Sequence, residues 1–134
     1  MVDGLRRLGG LCAVIALTLA FAVNVAAQGE TRRARLASPA EGEIVEGPNV
    51  TFRVEHSGIR LPEEHFHVLF DAAALEYVAG NPIPIGRVDM VHFRAATTTV
   101  RMTAGTHFVV LISTNNDHLP LRPWTGESRF FFVK

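Results

Sequence analysis

The stretch NVTFRVEH, Asn49 to His56, alternates without error. Val50, Phe52 and Val54 fall on one side and Asn49, Thr51, Arg53 and Glu55 on the other, which is the period-two pattern of a strand with one face buried and one in water. The same period recurs in HFHVLFD, residues 65–71, with Phe66, Val68 and Phe70 inward and His65, His67, Leu69 and Asp71 on the opposite face. VDMVHF (88–93) and TTTVRM (97–102) read as further short strands, and SRFFFVK (128–134) as a last one rich in aromatics. THFVVLIST (106–114) is apolar on both faces, as a central strand is.

The segments between these runs carry turn chemistry. RLASPAEGEIVEGP, residues 35–48, is punctuated by Pro39, Gly42, Gly47 and Pro48. AAALEYVAGNPIPIG, residues 72–86, can begin with a helical turn, but Gly80, Pro82 and Pro84 stop any regular element and make an exposed loop. NNDHLPLRPWTGE, residues 115–127, is a loop long enough to expect function in it. About seven short strands, with a turn signal roughly every ten residues, predict an all-β, antiparallel immunoglobulin-like β-sandwich occupying residues 37–134 as one domain. The cysteine pair that often bridges such sandwiches is missing, so the core alone must hold it.

Residues 1–27 follow the plan of a secretory signal peptide. Arg6 and Arg7 precede an uncharged apolar run, residues 8–25, and Val25 and Ala27 suit cleavage after Ala27. An uncleaved anchor is the competing reading, because that run approaches the roughly 20 residues that span a bilayer. Either way the expected location is periplasmic or secreted, and after cleavage no membrane span remains. Residues 28–36 are polar and aperiodic and read as a flexible tether. Cys12, the single cysteine, lies inside the apolar run and contributes no redox site. Removing residues 1–27 takes away Arg6, Arg7 and Asp3, leaving 11 basic and 12 acidic side chains, a formal charge of −1. That balance offers no bulk attraction for nucleic acid or an anionic membrane.

Histidine is the residue type that carries chemistry here. Side chains at i and i+2 of a strand point the same way about 6.5–7 Å apart, so His65 and His67 can converge on one metal ion. They are equally well read as the solvent face of an amphipathic strand. A chelate needs a third ligand: His92 is one candidate, with Met90 on its face of the strand, and His118 another, with Asp117 beside it. His107, inside an apolar strand, is read as a buried histidine bonded to a backbone carbonyl rather than a ligand. His56 is read as a turn residue, and Trp124 as either a binding platform or a lid on one end of the core.

Catalytic patterns are weak. The serines occupy no nucleophile elbow, no phosphate-binding glycine loop occurs, and Glu63 and Glu64 are adjacent and so cannot act as a pair on a strand. As loop residues the two glutamates read as solvated charges. Asp71 can orient a strand histidine, although a turn-forming role at the strand end is the commoner use.

Taken in order, ASPAEGEIVEGPNVTFRVEHSGI, HFHVLFD, NPIPIGRVDMVHF, TTTVRMTAGTHFVVL and NNDHLPLRP resemble the exported bacterial family called domain of unknown function 4399, over roughly residues 37–134. The resemblance places that family's histidine-rich positions on His65, His67, His92, His107 and His118. Departures are visible. Phe66 interrupts the histidine cluster, Met90 and Asn116 stand where histidines are expected, and Arg94, Ala95 and Ala96 replace a glycine-rich turn. A methionine suits Cu(I) and is a poor zinc ligand.

The sequence therefore predicts an exported, non-catalytic binding domain whose candidate metal site is His65, His67, His92 and His118 with Met90. Copper is the first ion and zinc the second; a domain with no metal is equally open. The reading from another class is an interaction module that offers the loops 81–87 and 115–127 to an extracytoplasmic protein or glycan. A metal-dependent hydrolase is the third, and would need Glu63, Glu64 or Asp117 as its base.

Overall fold

The structure, a computed structural model, describes residues 31–123 and 126–134. The signal-peptide reading of residues 1–27 and the reading of Trp124 lie outside the described residues. Among the described residues, eight strands and one short helix follow in the order β1 (Arg33–Ser38), β2 (Ile44–Val45), β3 (Asn49–Ser57), β4 (His65–Phe70), α1 (Ala72–Glu76), β5 (Met90–Phe93), β6 (Thr97–Arg101), β7 (Gly105–Thr114) and β8 (Glu127–Val133). They form a three-stranded sheet, β1-β3-β6, and a five-stranded sheet, β2-β8-β7-β4-β5. All pairs are antiparallel except β2 with β8.

β3 takes the form its alternation dictates. Val50, Phe52 and Val54 are buried while Thr51, Arg53 and Glu55 face water. Those three apolar side chains meet Phe66, Val68, Val109, Leu111 and Phe131 of the facing sheet in one continuous core. Phe52 and Phe131 cross the gap edge to face, with ring centroids 5.9 Å apart, the arrangement in which the positive rim of one ring meets the negative face of the other.

Two boundaries differ from expectation. β1 starts at Arg33 and pairs Arg33 with Ser57 and Arg35 with Glu55, so part of the stretch read as a tether is a strand. The alternation of Arg33 and Arg35 with Ala34 and Leu36 is that of an edge strand with its charges outward. β3 runs on to Ser57, so His56 is a strand residue rather than a turn residue.

The outer face of the five-stranded sheet is covered over β4 and β7, while Phe130 and Phe132 of β8 stay exposed on it. α1, at the place where a helical turn was expected, lays Ala73 and Ala74 on Leu69 of β4 and Ile112 of β7, and Ile83 from the proline-rich loop joins them. Leu69 and Ile112 are fully buried as a result. His67 and His65 lie on the same face of β4, one and two rungs further along from Leu69.

Candidate metal site

Register explains how the histidines meet. In β4, His65, His67 and Leu69 share the outer face. Neighbouring strands place Thr114 opposite His65, Ile112 and His92 opposite His67, and Val110 and Met90 opposite Leu69. One half of this face is therefore an imidazole patch and the other half an apolar cluster. Met90 falls in the apolar half, where it packs against the cluster of Leu69 and Ile112.

His118 arrives from the loop that follows β7. Asn115 shapes that loop: its Oδ1 accepts the backbone N–H groups of Asp117 and Leu119, each at 3.0 Å. The His118 N–H donates to the Asn115 carbonyl at 3.1 Å, and Ile83 donates its N–H to the His118 carbonyl at 3.0 Å. His118 itself sits at φ 59°, in the left-handed region where histidine and asparagine are found more often than most residues. The loop so held puts the His118 ring over β4.

Four imidazoles are gathered here. Ring centroids lie 4.4 Å apart for His65 and His92, 5.0 Å for His65 and His67, 5.2 Å for His67 and His118, and 5.3 Å for His65 and His118. His92 stacks on His67 with an interplanar angle of 14°. One nitrogen from each of His65, His67 and His118 lies within 4.8 Å of the other two. Bonds of about 2.0–2.1 Å to a tetrahedral ion set ligand nitrogens about 3.3–3.4 Å apart, so a small closing motion brings this set to coordination distance. His67 Nε2 and His118 Nδ1, at 3.2 Å, already have that separation.

The reading of His65 and His67 as a solvent-facing pair is overturned, since both are 0 % exposed. The rings of His92 and His118, packed on these two, close a face that an amphipathic strand would present to water. His65 Nε2 has the Thr114 hydroxyl as a partner at 3.1 Å, while Nδ1 of His67 is buried without a hydrogen bond. His67 is the cleaner case, because the backbone of Glu63 still acts on His65. Buried polar nitrogens in native proteins are nearly always partnered, so the lone Nδ1 of His67 is a cost that the fold carries while its Nε2 faces His118.

Burial favours the neutral form of His65, His67 and His92. Burial, then the charge effects of His92 and Arg94, lower the pKa of His65 to about 4. Burial, then His65, His92 and His118, lower that of His67 to about 3. His92 is lowered by burial and by Arg94. Neutral imidazole is the form that donates a lone pair to a metal.

The remaining sequence candidates divide. His107 is not in the cluster: its Nε2 meets the Thr103 carbonyl at 2.9 Å, as expected of a buried histidine, and its Nδ1 meets Asp71 Oδ2 at 2.8 Å. Asp71 therefore does orient a strand histidine, though not one of the cluster. Glu64 is not a solvated charge. It is buried, with its carboxylate on Arg32 at 3.0 Å and Arg60 at 3.3 Å. Sequence reasoning missed Thr114 and Arg94. Thr114 is assigned only by register; Arg94, two residues past His92, carried the period-two signal and was read merely as a lost glycine turn. A groove of about 510 Å³ lined by Arg32, Arg35, Glu55 and His56 lies elsewhere and contains none of the clustered rings.

No protein-family model matches the sequence, and a comparison with curated proteins returns no significant match. Solved structures do resemble it. An engineered protein with a crystal structure at 1.98 Å aligns at a TM-score of 0.51 and 18 % identity, over 78 % of this chain and 20 % of that one. The fibronectin(III)-like modules of Clostridium thermocellum CbhA align at 0.50 and 18 % identity, over 78 % of this chain and 47 % of that one. The chain thus spans less than half of either structure it matches. At this identity the likeness concerns fold, and it identifies the sandwich as immunoglobulin-like.

Proposed function

We propose that this chain is an exported, non-catalytic metal-binding domain that holds a transition-metal ion through His65, His67 and His118, with His92 stacked alongside. The observation that carries the reading is the convergence of three imidazole nitrogens within 4.8 Å, two of them on rings that are fully buried. Copper is the first ion and zinc the second, because imidazole serves both and the described residues contain no thiolate. Export rests on the leader-like residues 1–27, and the resemblance to domain of unknown function 4399 belongs to the same reading. The test is calorimetric titration of the purified protein with Cu(I), Cu(II) and Zn(II), beside a His65→Ala, His67→Ala double variant. Binding tighter than about 10 μM that the variant loses is expected; equal binding by the variant rejects the site.

A metal-free interaction module is the second reading. It is favoured by the exposure of Val78, Ile85 and Val88 on the segment between α1 and β5, apolar side chains that a partner could cover. Metal binding that leaves this segment unperturbed, or no metal binding at all, separates the two.

A further inference from the structure

We infer that the histidine site prefers a monovalent to a divalent ion, Cu(I) to Zn(II), and that Arg94 adds to the preference. This rests on the metal-binding reading above. Ligand type does not decide between the two ions, since imidazole suits both. Charge does. The three-histidine group includes no carboxylate, so the ligands bring no negative charge against the ion. Two of the three rings are wholly buried, and the cost of placing an ion in such surroundings rises steeply with its charge.

Arg94 adds a fixed positive charge at the rim. Its Nη1 donates to Asn116 Oδ1 at 2.9 Å and also to the Pro62 carbonyl. The guanidinium is thereby braced between the segment that leads into His65 and the loop that carries His118. Its field reaches His65, His67 and His92. Among the described residues no acid offsets it by contact: the Glu64 carboxylate is taken by Arg32 and Arg60, and Glu63 and Asp117 face water. Repulsion from Arg94 acts once on Cu(I) and twice on Zn(II), because Coulomb energy is linear in the charge of the ion.

The experiment is competition titration of the full chain with Cu(I), under anaerobic conditions, and with Zn(II), for the wild type, Arg94→Gln and Arg94→Lys. Circular dichroism confirms that each variant is folded. Wild-type affinity for Cu(I) is expected to exceed that for Zn(II) by about tenfold or more. Removing the charge in R94Q tightens Zn(II) by about tenfold and Cu(I) by only about threefold, the two-to-one logarithmic ratio set by ionic charge. R94K, which keeps the charge and alters the bracing, preserves the wild-type preference. Zn(II) bound as tightly as Cu(I) by the wild type, equal shifts of both ions in R94Q, or R94K behaving as R94Q would each overturn the inference while leaving a metal site in place. Failure of the wild type to bind either ion overturns the site itself.

Discussion

His118 Nδ1 stands 3.2 Å from His67 Nε2, one ring on a loop and the other in the interior of a five-stranded sheet. As a hydrogen bond the contact requires one ring to donate and the other to accept, which puts both neutral rings in the same tautomer, Nδ1–H if His118 donates and Nε2–H if His67 does. As a pair of lone pairs facing one ion it requires neither. The loop contributes this ring through a left-handed residue and an asparagine-built turn rather than through core packing, so ligation and folding are separable at His118.

Replacing His118 by alanine should therefore remove most of the metal affinity and little of the stability. Loss of a residue that merely orients a ligand costs 10- to 100-fold, so loss of a ligand should cost about 100-fold or more. The metal-free protein should unfold within about 1 kcal/mol of the wild type, as substitutions on half-exposed loops generally do. Calorimetry and urea denaturation on the same samples measure both. An unchanged affinity would remove His118 from the site.

The buried rings make a pH prediction with a definite sign. His65 and His67 hold folded-state values of about 4 and about 3 against 6.5 for a free histidine. Between those limits the unfolded chain binds more protons than the folded one, so stability rises with pH in that window. It is fully present above about pH 6.5 and is lost as the pH falls through the window. From pH 7 to pH 5 the loss should be roughly 2 kcal/mol for each of the two rings. Urea midpoints of the metal-free protein at pH 7, 6 and 5 test this, and a flat profile would contradict the burial of the rings as neutral groups.

Much of this was legible in the residues. The faces of β3 and the inward set of Phe66, Val68 and Phe70 follow from period two alone, and the four histidines of the cluster can be named from their context. The environment of His65 and His67 cannot, because it is made by His92 from a neighbouring strand and by His118 on a loop that has no period. Thr114 and the slot of Met90 opposite Leu69 depend on which residues of β7 and β5 lie across from β4. That register is settled between strands far apart in sequence and is written in none of them singly. The start of β1 was missed for a related reason: Arg33 and Arg35 are outward residues of an edge strand, and two arginines in a polar run look like solvated chain.

At the far end of β4 a second histidine contact invites a test of its own. Asp71, at φ 53°, accepts from His107 Nδ1 at 2.8 Å and from the Phe108 N–H at 3.1 Å. It joins the end of β4 to β7 through a side chain. A double-mutant cycle of Asp71→Asn and His107→Phe should return a coupling of about 1–3 kcal/mol in urea denaturation, the range for a charged group bonded to a buried partner. Coupling below about 0.5 kcal/mol would mean that the pair is incidental. Cu(I) binding should be indifferent to both changes, because neither residue belongs to the cluster.

The last prediction sets function against stability at one position. His67 is 0 % exposed, its Nδ1 has no hydrogen bond, and its neighbours across β7 and along β4 are Ile112 and Leu69, both fully buried. A buried polar atom left unpaired costs about 1–3 kcal/mol, whereas an apolar group of similar shape at the same place costs nothing of that kind. His67→Leu should therefore be as stable as the wild type without metal, or up to about 2 kcal/mol more stable, the partner ring of His118 being free to take water on its half-exposed loop. With Cu(I) at a hundred times its dissociation constant the wild type gains about 2.7 kcal/mol that the variant cannot, and the order of stabilities should reverse. Thermal or urea midpoints of both proteins, with and without the ion, decide the matter. If the metal-free variant instead loses 2 kcal/mol or more, His67 is a packing residue of the core and the case for a ligand at this position falls with it.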